Sequence, residues 1–371
     1  MPSTLKVLSV QTILIVLAIV ACNLPSSEAN VDATVNARVV ATLSAVVGEN
    51  DVTPGAESTS EQSTSEPTHA PVSDGSGPTL GNCPMFPADH ILNTRVDSLP
   101  VDPHSDAYIE SIGADTSLHP DFGSGEWEGG PIGIPYNVVD SNVEPASISF
   151  EYSDESDEGP YTIPSDPQME GAPDSDGDRH ILIVDSTNCV LQEIFAAQLQ
   201  PDGSWEAGSG AVWDLTDYIL RPDEWTSADA AGLPILPLLV RYDEVEAGEI
   251  RHAIRFTAEN TQEAYVWPAR HQASDITDEN VPPMGQRFRL KADFDISPYS
   301  HDVQVILRAM QLYGLVLADN GSNWYINGAP DPHWDNDDIH DAFDSIHGSD
   351  FEAVDVSSLM IDADSGQAQQ P

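Results

Sequence analysis

The sequence predicts a mainly β domain: an antiparallel β-sandwich, of which a jelly roll is one arrangement, with two short helices in its C-terminal region. Three observations lead to this expectation. Apolar and polar residues alternate in Ile148, Phe150 and Tyr152, in Ile250, His252, Ile254 and Phe256, and in Phe288 and Leu290, which is the pattern of half-buried strands. Apolar runs at 181–184, 235–240 and 315–317 have the length of central strands. Only two stretches near the end carry the spacing of an amphipathic helix.

In chain order, the first 22 residues come first. A positive start containing Lys6 leads into an apolar-rich run from Val7 to Ala21 that ends at Cys22, with Ile19-Val20-Ala21-Cys22 as a lipobox. This is the layout of a lipoprotein signal peptide, with Cys22 lipidated and the mature protein held outside the cytoplasm by its N-terminal lipid. An uncleaved anchor helix and ordinary secretion are the alternatives, although the run is short for a span of about 20 residues. Residues 23–81 follow as an acidic, Ser/Thr/Glu/Pro/Gly-rich tether whose composition cannot offset the entropy of ordering it. Residues 82–355 carry the aromatic and apolar content of one globular β-rich domain. Residues 356–371 read as a flexible tail.

Sixty-two acidic residues face 13 basic ones, a formal charge of −49, and Lys6 and Lys291 are the only lysines. Such a charge excludes nucleic acid as a partner and repels anionic surfaces. It also suits a saline medium, where screening shortens the repulsion. The oligomeric state cannot be read from these features.

The two helices are local. Ser300 can cap a segment whose Val303, Ile306, Leu307, Met310 and Tyr313 share one face, and Gly314 can end it. A second begins near Asp335, with Asp337 and Asp338 at its positive end, Ile339, Phe343 and Ile346 as its buried stripe, and Gly348 as its stop. Beyond Cys22, Cys83 and Cys189 are the only cysteines, so a bond between them is the one intramolecular disulfide available; separate buried thiols are the alternative.

Long blocks of the chain resemble an uncharacterised family of secreted bacterial proteins and lipoproteins. They include Trp225-Thr226-Ser227-Ala228-Asp229-Ala230-Ala231-Gly232-Leu233-Pro234-Ile235, Leu239-Val240-Arg241-Tyr242-Asp243-Glu244, Tyr265-Val266-Trp267-Pro268-Ala269-Arg270-His271 and Ala318-Asp319-Asn320-Gly321-Ser322. The resemblance spans about 88–355 and implies export, with no particular chemistry.

Zinc-helix, phosphate-loop and nucleophile-elbow motifs are missing from the sequence. Chemistry must therefore come from side chains that the fold assembles. Asp243, Glu244 and Asp214 flank strand-like runs and are candidate catalytic carboxylates for glycoside cleavage, which needs a proton donor and a base or nucleophile. Trp213, Trp267, Arg270, His271, Asp319 and Trp324 are candidate substrate-binding residues, with indoles as stacking faces for sugar rings. Each also has an ordinary reading as core, cap or turn; Asp319-Asn320-Gly321-Ser322 suits a tight hairpin, and His252 suits a hydrogen-bonded core position. No cofactor is expected, except that Asp174, Asp176 and Asp178 alternate in an acidic loop that could take Ca²⁺ without the full EF-hand pattern. The expected function is that of an extracellular, membrane-anchored, carbohydrate-active protein with a polysaccharide or glycan partner, a glycoside hydrolase in its catalytic form. Whether it is an enzyme is left open: a non-catalytic glycan-binding or structural and adhesive lipoprotein is the alternative.

Overall fold

The computed structural model describes residues 77–172, 175 and 177–370. The signal peptide, Cys22 and the tether as far as residue 76 lie outside the described residues, as do Asp174 and Asp176. Among the described residues no helix is long and apolar enough to cross a membrane.

The fold is mixed α/β with several irregular sheets. The largest sheet has six strands in the order Phe351–Val354, Arg287–Leu290, Leu315–Asn320, Ile254–Ala258, Tyr325–Asn327 and His119–Asp121. A four-stranded sheet runs Ser209–Asp214, Val190–Phe195, Ile181–Asp185, Tyr136–Val139, and a three-stranded one runs Gln198–Leu199, Trp205–Ala207, Ile148–Phe150. Strand pairing is not wholly antiparallel. Ile254–Ala258 runs parallel to Leu315–Asn320, Tyr325–Asn327 to His119–Asp121, and Tyr136–Val139 to Ile181–Asp185.

Mixed sheets of this kind are covered on both faces, which alters what the alternating segments do. Ile254–Ala258 and Arg287–Leu290 are buried at every position instead of turning polar residues to water. The arginines on the second face are therefore interior: Arg287 donates to the carbonyls of Tyr313 and Ile91, and Arg289 to those of Val96 and Leu99 and to Glu352. Six arginines of this cation-poor chain are buried among the described residues. The guanidinium fork explains the bias, since it can satisfy several interior acceptors at fixed geometry where an ammonium cannot.

The run at 235–240 is not a strand. Its centre is a 3-10 helix, Leu236–Leu238, because Pro234 and Pro237 cannot donate to a ladder. Two buried proline-flanked amides then need an acceptor, and Glu193 supplies it: its carboxyl accepts from the backbone N–H of Ile235 and Leu236 at 2.9 Å and from Trp213 Nε1 at 3.2 Å. Burial pushes Glu193 up to about 7 against the pull of these donors. Because folding raises this pKa, the stability it confers is complete below the ordinary glutamate range and is lost as pH climbs through about 7. Glu193→Gln is expected to remove roughly 3 kcal/mol of the decline in unfolding free energy between pH 4.5 and pH 7.5. Urea titrations of both proteins across that range check it, and identical pH slopes would refute it.

Helices occupy His301–Leu312 and Asn336–Phe343. Ser300 Oγ accepts from the Val303 amide and Asp335 from the Asp338 amide, so both begin on side-chain caps. Gly314 ends the first with φ +75, where a Cβ would lie 2.1 Å from the Phe288 carbonyl oxygen. The second stops at Phe343, before Gly348. Two further helices, Ser105–Ile112 and Tyr242–Ala247, were not among those expected from the sequence.

Cys83 and Cys189 form the disulfide. It joins a short hairpin, Thr79–Leu80 with Cys83–Pro84, to the turn after Ile181–Asp185, so ordered structure begins ahead of residue 82. The last residues are docked, in contrast to the expected flexible tail. Bridges pair Gln367 with His90, Ser365 with Ile219 and Ala368 with Met360, and Ala368 is buried. The Asp319–Ser322 turn is not a tight hairpin either: Ile254–Ala258 lies between the strands on its two sides.

Candidate functional site

One face of the six-stranded sheet carries an unusual row of polar groups. Asp121 pairs with Asn327, Tyr325 with His119 and with Thr257, and Thr257 with Asp319, so alternate residues from four strands share that face. A bulge makes the last pairing. Leu317 lies opposite Phe256, but the register shifts so that Asp319, not Ala318, lies opposite Thr257. Such bulges re-aim side chains, and this one turns Asp319 toward Arg255.

Arg255 sits at the centre and is buried. Its Nε and Nη2 donate to Asp229 at 3.0 and 2.8 Å, and Nη2 lies 3.7 Å from Asp319. Asp121 accepts from Asn327 Nδ2 at 2.8 Å. Facing them, Glu170 Oε2 lies 2.5 Å from Nδ1 of the buried His180, whose Nε2 lies 3.0 Å from the Ala228 carbonyl. Segment 225–235 is thus the backing of the cluster, supplying Asp229, the Ala228 carbonyl for His180 and the Ala230 carbonyl for His271.

The charges divide the carboxyls. Burial and the neighbouring Asp229 charge push Asp319 up to about 7, against the pull of Arg255. Burial and the Glu170 charge also raise Asp121. Glu170 goes the other way: burial raises it, but His180 beside it wins and holds it below the usual glutamate value. His180 is correspondingly raised to about 9, because Glu170 outweighs the cost of burying the imidazolium. A protonated and an ionised carboxyl within one cluster can give and accept protons at the same pH.

Glu170, Asp178 and His180 also form a group capable of holding a divalent cation, with one ligand atom from each within 4.8 Å of the others. Of the acidic-loop residues expected to bind Ca²⁺, Asp178 belongs to this group; Asp174 and Asp176 lie outside the described residues.

The other expected site residues are dispersed. Asp243 and Glu244 open the short helix Tyr242–Ala247, flanking no strand. Glu244 is buried between Arg241 and His252, at 3.0 and 2.9 Å. Burial raises its carboxyl, and Arg241 and His252 beside it more than reverse that. Asp243 is half-exposed and accepts from Arg241 Nε, while Asp214 ends its strand by capping Thr216. Trp213 and Trp324 are interior: Trp324 donates Nε1 to the Gly113 carbonyl and stacks between Phe256 and Phe351. Trp267 donates to the Ser365 carbonyl, and Arg270 is held by Asp364 and the Ala363 carbonyl. His271 is half-buried against Ala230. Only Asp319 of the expected set lies in the cluster.

Sequence reasoning passed over Asp121, Glu170, His180, Asp229 and Arg255, and one aromatic. Trp127 is 74% exposed on the hairpin Glu126–Trp127 with Gly130–Pro131. That hairpin is seated beside the cluster, since a Cβ on Gly130 would meet the Gly171 backbone at 2.3 Å, one residue past Glu170. Polarity gave no signal for Asp121, Glu170 and Asp229, because 62 acids make each one ordinary in the sequence. Beyond Asp121 along the chain, Ser124, His333, Trp334 and Asn336 line an open recess of about 440 Å³.

No family model, no curated protein and no solved structure matches this chain.

Proposed function

We propose that this is a carbohydrate-active protein of the cell surface that cleaves a glycan over the polar face of its six-stranded sheet, with Asp319 as proton donor and Asp121 as the opposing carboxylate. The observation that carries the reading is the row Asp319, Arg255, Asn327, Asp121, which puts a carboxyl group at each end of one polar face. The two backbones are three strand spacings apart, roughly 14 Å, with Arg255 and Asn327 between them. Trp127 supplies an exposed stacking face beside this row. The upward shift of Asp319 suits a proton donor near neutral pH.

The remaining parts of the reading rest on the sequence. The lipobox supports attachment through lipidated Cys22, with the segment between Cys22 and the Thr79–Leu80 strand as the tether, and the sequence blocks at 225–235, 239–244, 265–271 and 318–322 support membership in an exported family. The architecture we favour is sandwich-like, since side chains of the four- and six-stranded sheets join one apolar cluster.

Turnover of a panel of neutral and anionic polysaccharides, read as released sugars by mass spectrometry, tests the proposal. Asp319→Asn is expected to lower kcat by about 10²–10⁴ with binding retained, since it keeps the shape and removes the proton. Trp127→Ala is expected to raise KM or Kd instead. Folded protein that neither binds nor cleaves any member of the panel would overturn the reading; binding without turnover would reassign the site to recognition.

A further inference from the structure

The group formed by Glu170, Asp178 and His180 has features that the carbohydrate reading does not use. All three ligand atoms sit on pinned backbone. The Glu170 amide donates to the His180 carbonyl at 3.0 Å, and the Asp178 carbonyl accepts from Ala196 at 2.8 Å, so the segment leading into Ile181–Asp185 is held on both sides. Asp178 and His180 flank Arg179, whose φ of +48 bends the chain there, and their ligand atoms lie within 4.8 Å of each other and of the Glu170 carboxyl.

His180 is 2% exposed, and both its nitrogens are spoken for in a particular way. With Nε2–H donated to the Ala228 carbonyl, the ring is oriented as metal-binding histidines are, with the other nitrogen aimed at the site. That nitrogen, Nδ1, is the atom 2.5 Å from Glu170 Oε2, and a metal ion can take the place of the proton the pair shares.

The same cluster holds one unmatched polar atom. Asn327 is 4% exposed, its Nδ2 is committed to Asp121, and its Oδ1 has no hydrogen-bond partner. A buried carbonyl oxygen left unmatched is costly, and here it belongs to the amide that donates to Asp121 in the same polar cluster.

We infer that Glu170, Asp178 and His180 bind one divalent transition-metal ion of the zinc or manganese class. Calcium is disfavoured by the donors themselves: it takes six to eight oxygens, whereas an imidazole nitrogen with carboxylates suits zinc, manganese or iron. The inference stands whether or not the protein acts on carbohydrate.

The full chain, stripped with chelator and dialysed, is titrated by calorimetry with Zn²⁺, Mn²⁺ and Ca²⁺ as chlorides. Concentrated sodium chloride in the cell suppresses diffuse cation binding by so acidic a surface. One saturable site is expected for Zn²⁺ or Mn²⁺, binding at least tenfold more tightly than Ca²⁺. Asp178→Asn, an exposed change that leaves the folded core alone, is expected to weaken that site tenfold or more while the melting temperature of the metal-free protein stays unchanged. His180→Ala is expected to abolish it; if that variant does not fold, Glu170→Gln replaces it. Absence of a saturable site, affinity unaltered by Asp178→Asn, or Ca²⁺ binding as tightly as the transition ions would each overturn the inference.

Discussion

Arg255→Ala is expected to destabilise the domain by about 3–5 kcal/mol, because it leaves the Asp229 carboxylate buried without its counter-ion. Asp229 is fully buried and receives both arms of the Arg255 fork, so the guanidinium is its counter-ion. The change also strands Asp319, which then faces Asp229 with no intervening positive charge. Asp229→Asn combined with Arg255→Ala should recover part of the loss, since it removes the unpaired charge while keeping an acceptor. Urea unfolding of the two single variants and the double variant measures the coupling. A loss below about 1 kcal/mol for Arg255→Ala would mean that the pair is no more than a surface-like contact, the usual worth of an exposed salt bridge.

Opening the Cys83–Cys189 bond is expected to cost about 4 kcal/mol, chiefly by freeing the unfolded chain. The bond spans 106 residues, and loop-closure entropy predicts a contribution of this size for so long a loop. The native consequence is local. The hairpin at 79–84 and the following Met85, Phe86 and Pro87, whose carbonyls are gathered by Asn93 Nδ2, lose their covalent tie to the 186–189 turn. Calorimetric melting of the Cys83→Ala, Cys189→Ala protein should show a midpoint lower by roughly 6–8 °C. An unchanged midpoint would show that the unfolded chain is already compact across that span.

Parts of this fold could be read before any coordinates. Helix His301–Leu312 was legible because its signals are local: a serine cap, apolar residues every three or four positions, and a glycine where the backbone turns left-handed. Ile181–Asp185 and Leu315–Asn320 were legible as central strands because their apolar runs are uninterrupted. The 235–240 run has equal hydrophobicity yet became a 3-10 helix, and its prolines were the signal that outweighed composition. Alternation misled at 250–256 and 287–291, where arginines that read as solvent-facing lie under a second layer, satisfied by carbonyls and carboxylates from distant segments.

The candidate site divides along the same line. Asp243, Glu244 and Asp214 stood out because they adjoin apolar runs, but adjacency in sequence does not say what a carboxylate will face. Arg241 and His252 claim Glu244, and Thr216 claims Asp214. The cluster instead draws Asp121, Glu170, His180, Asp229, Arg255 and Asp319 from six separate segments, and a single bulge decides that Asp319 joins them. Local chemistry in the sequence determined the pairing of the two remaining cysteines, the capped helices and the uninterrupted strands, because each depends on neighbours within a few residues or on there being only one possible partner. The tertiary structure alone decided which of 62 acids meet a cation, which indoles are core and which one is exposed, because those outcomes depend on register and on contacts between residues more than two hundred positions apart.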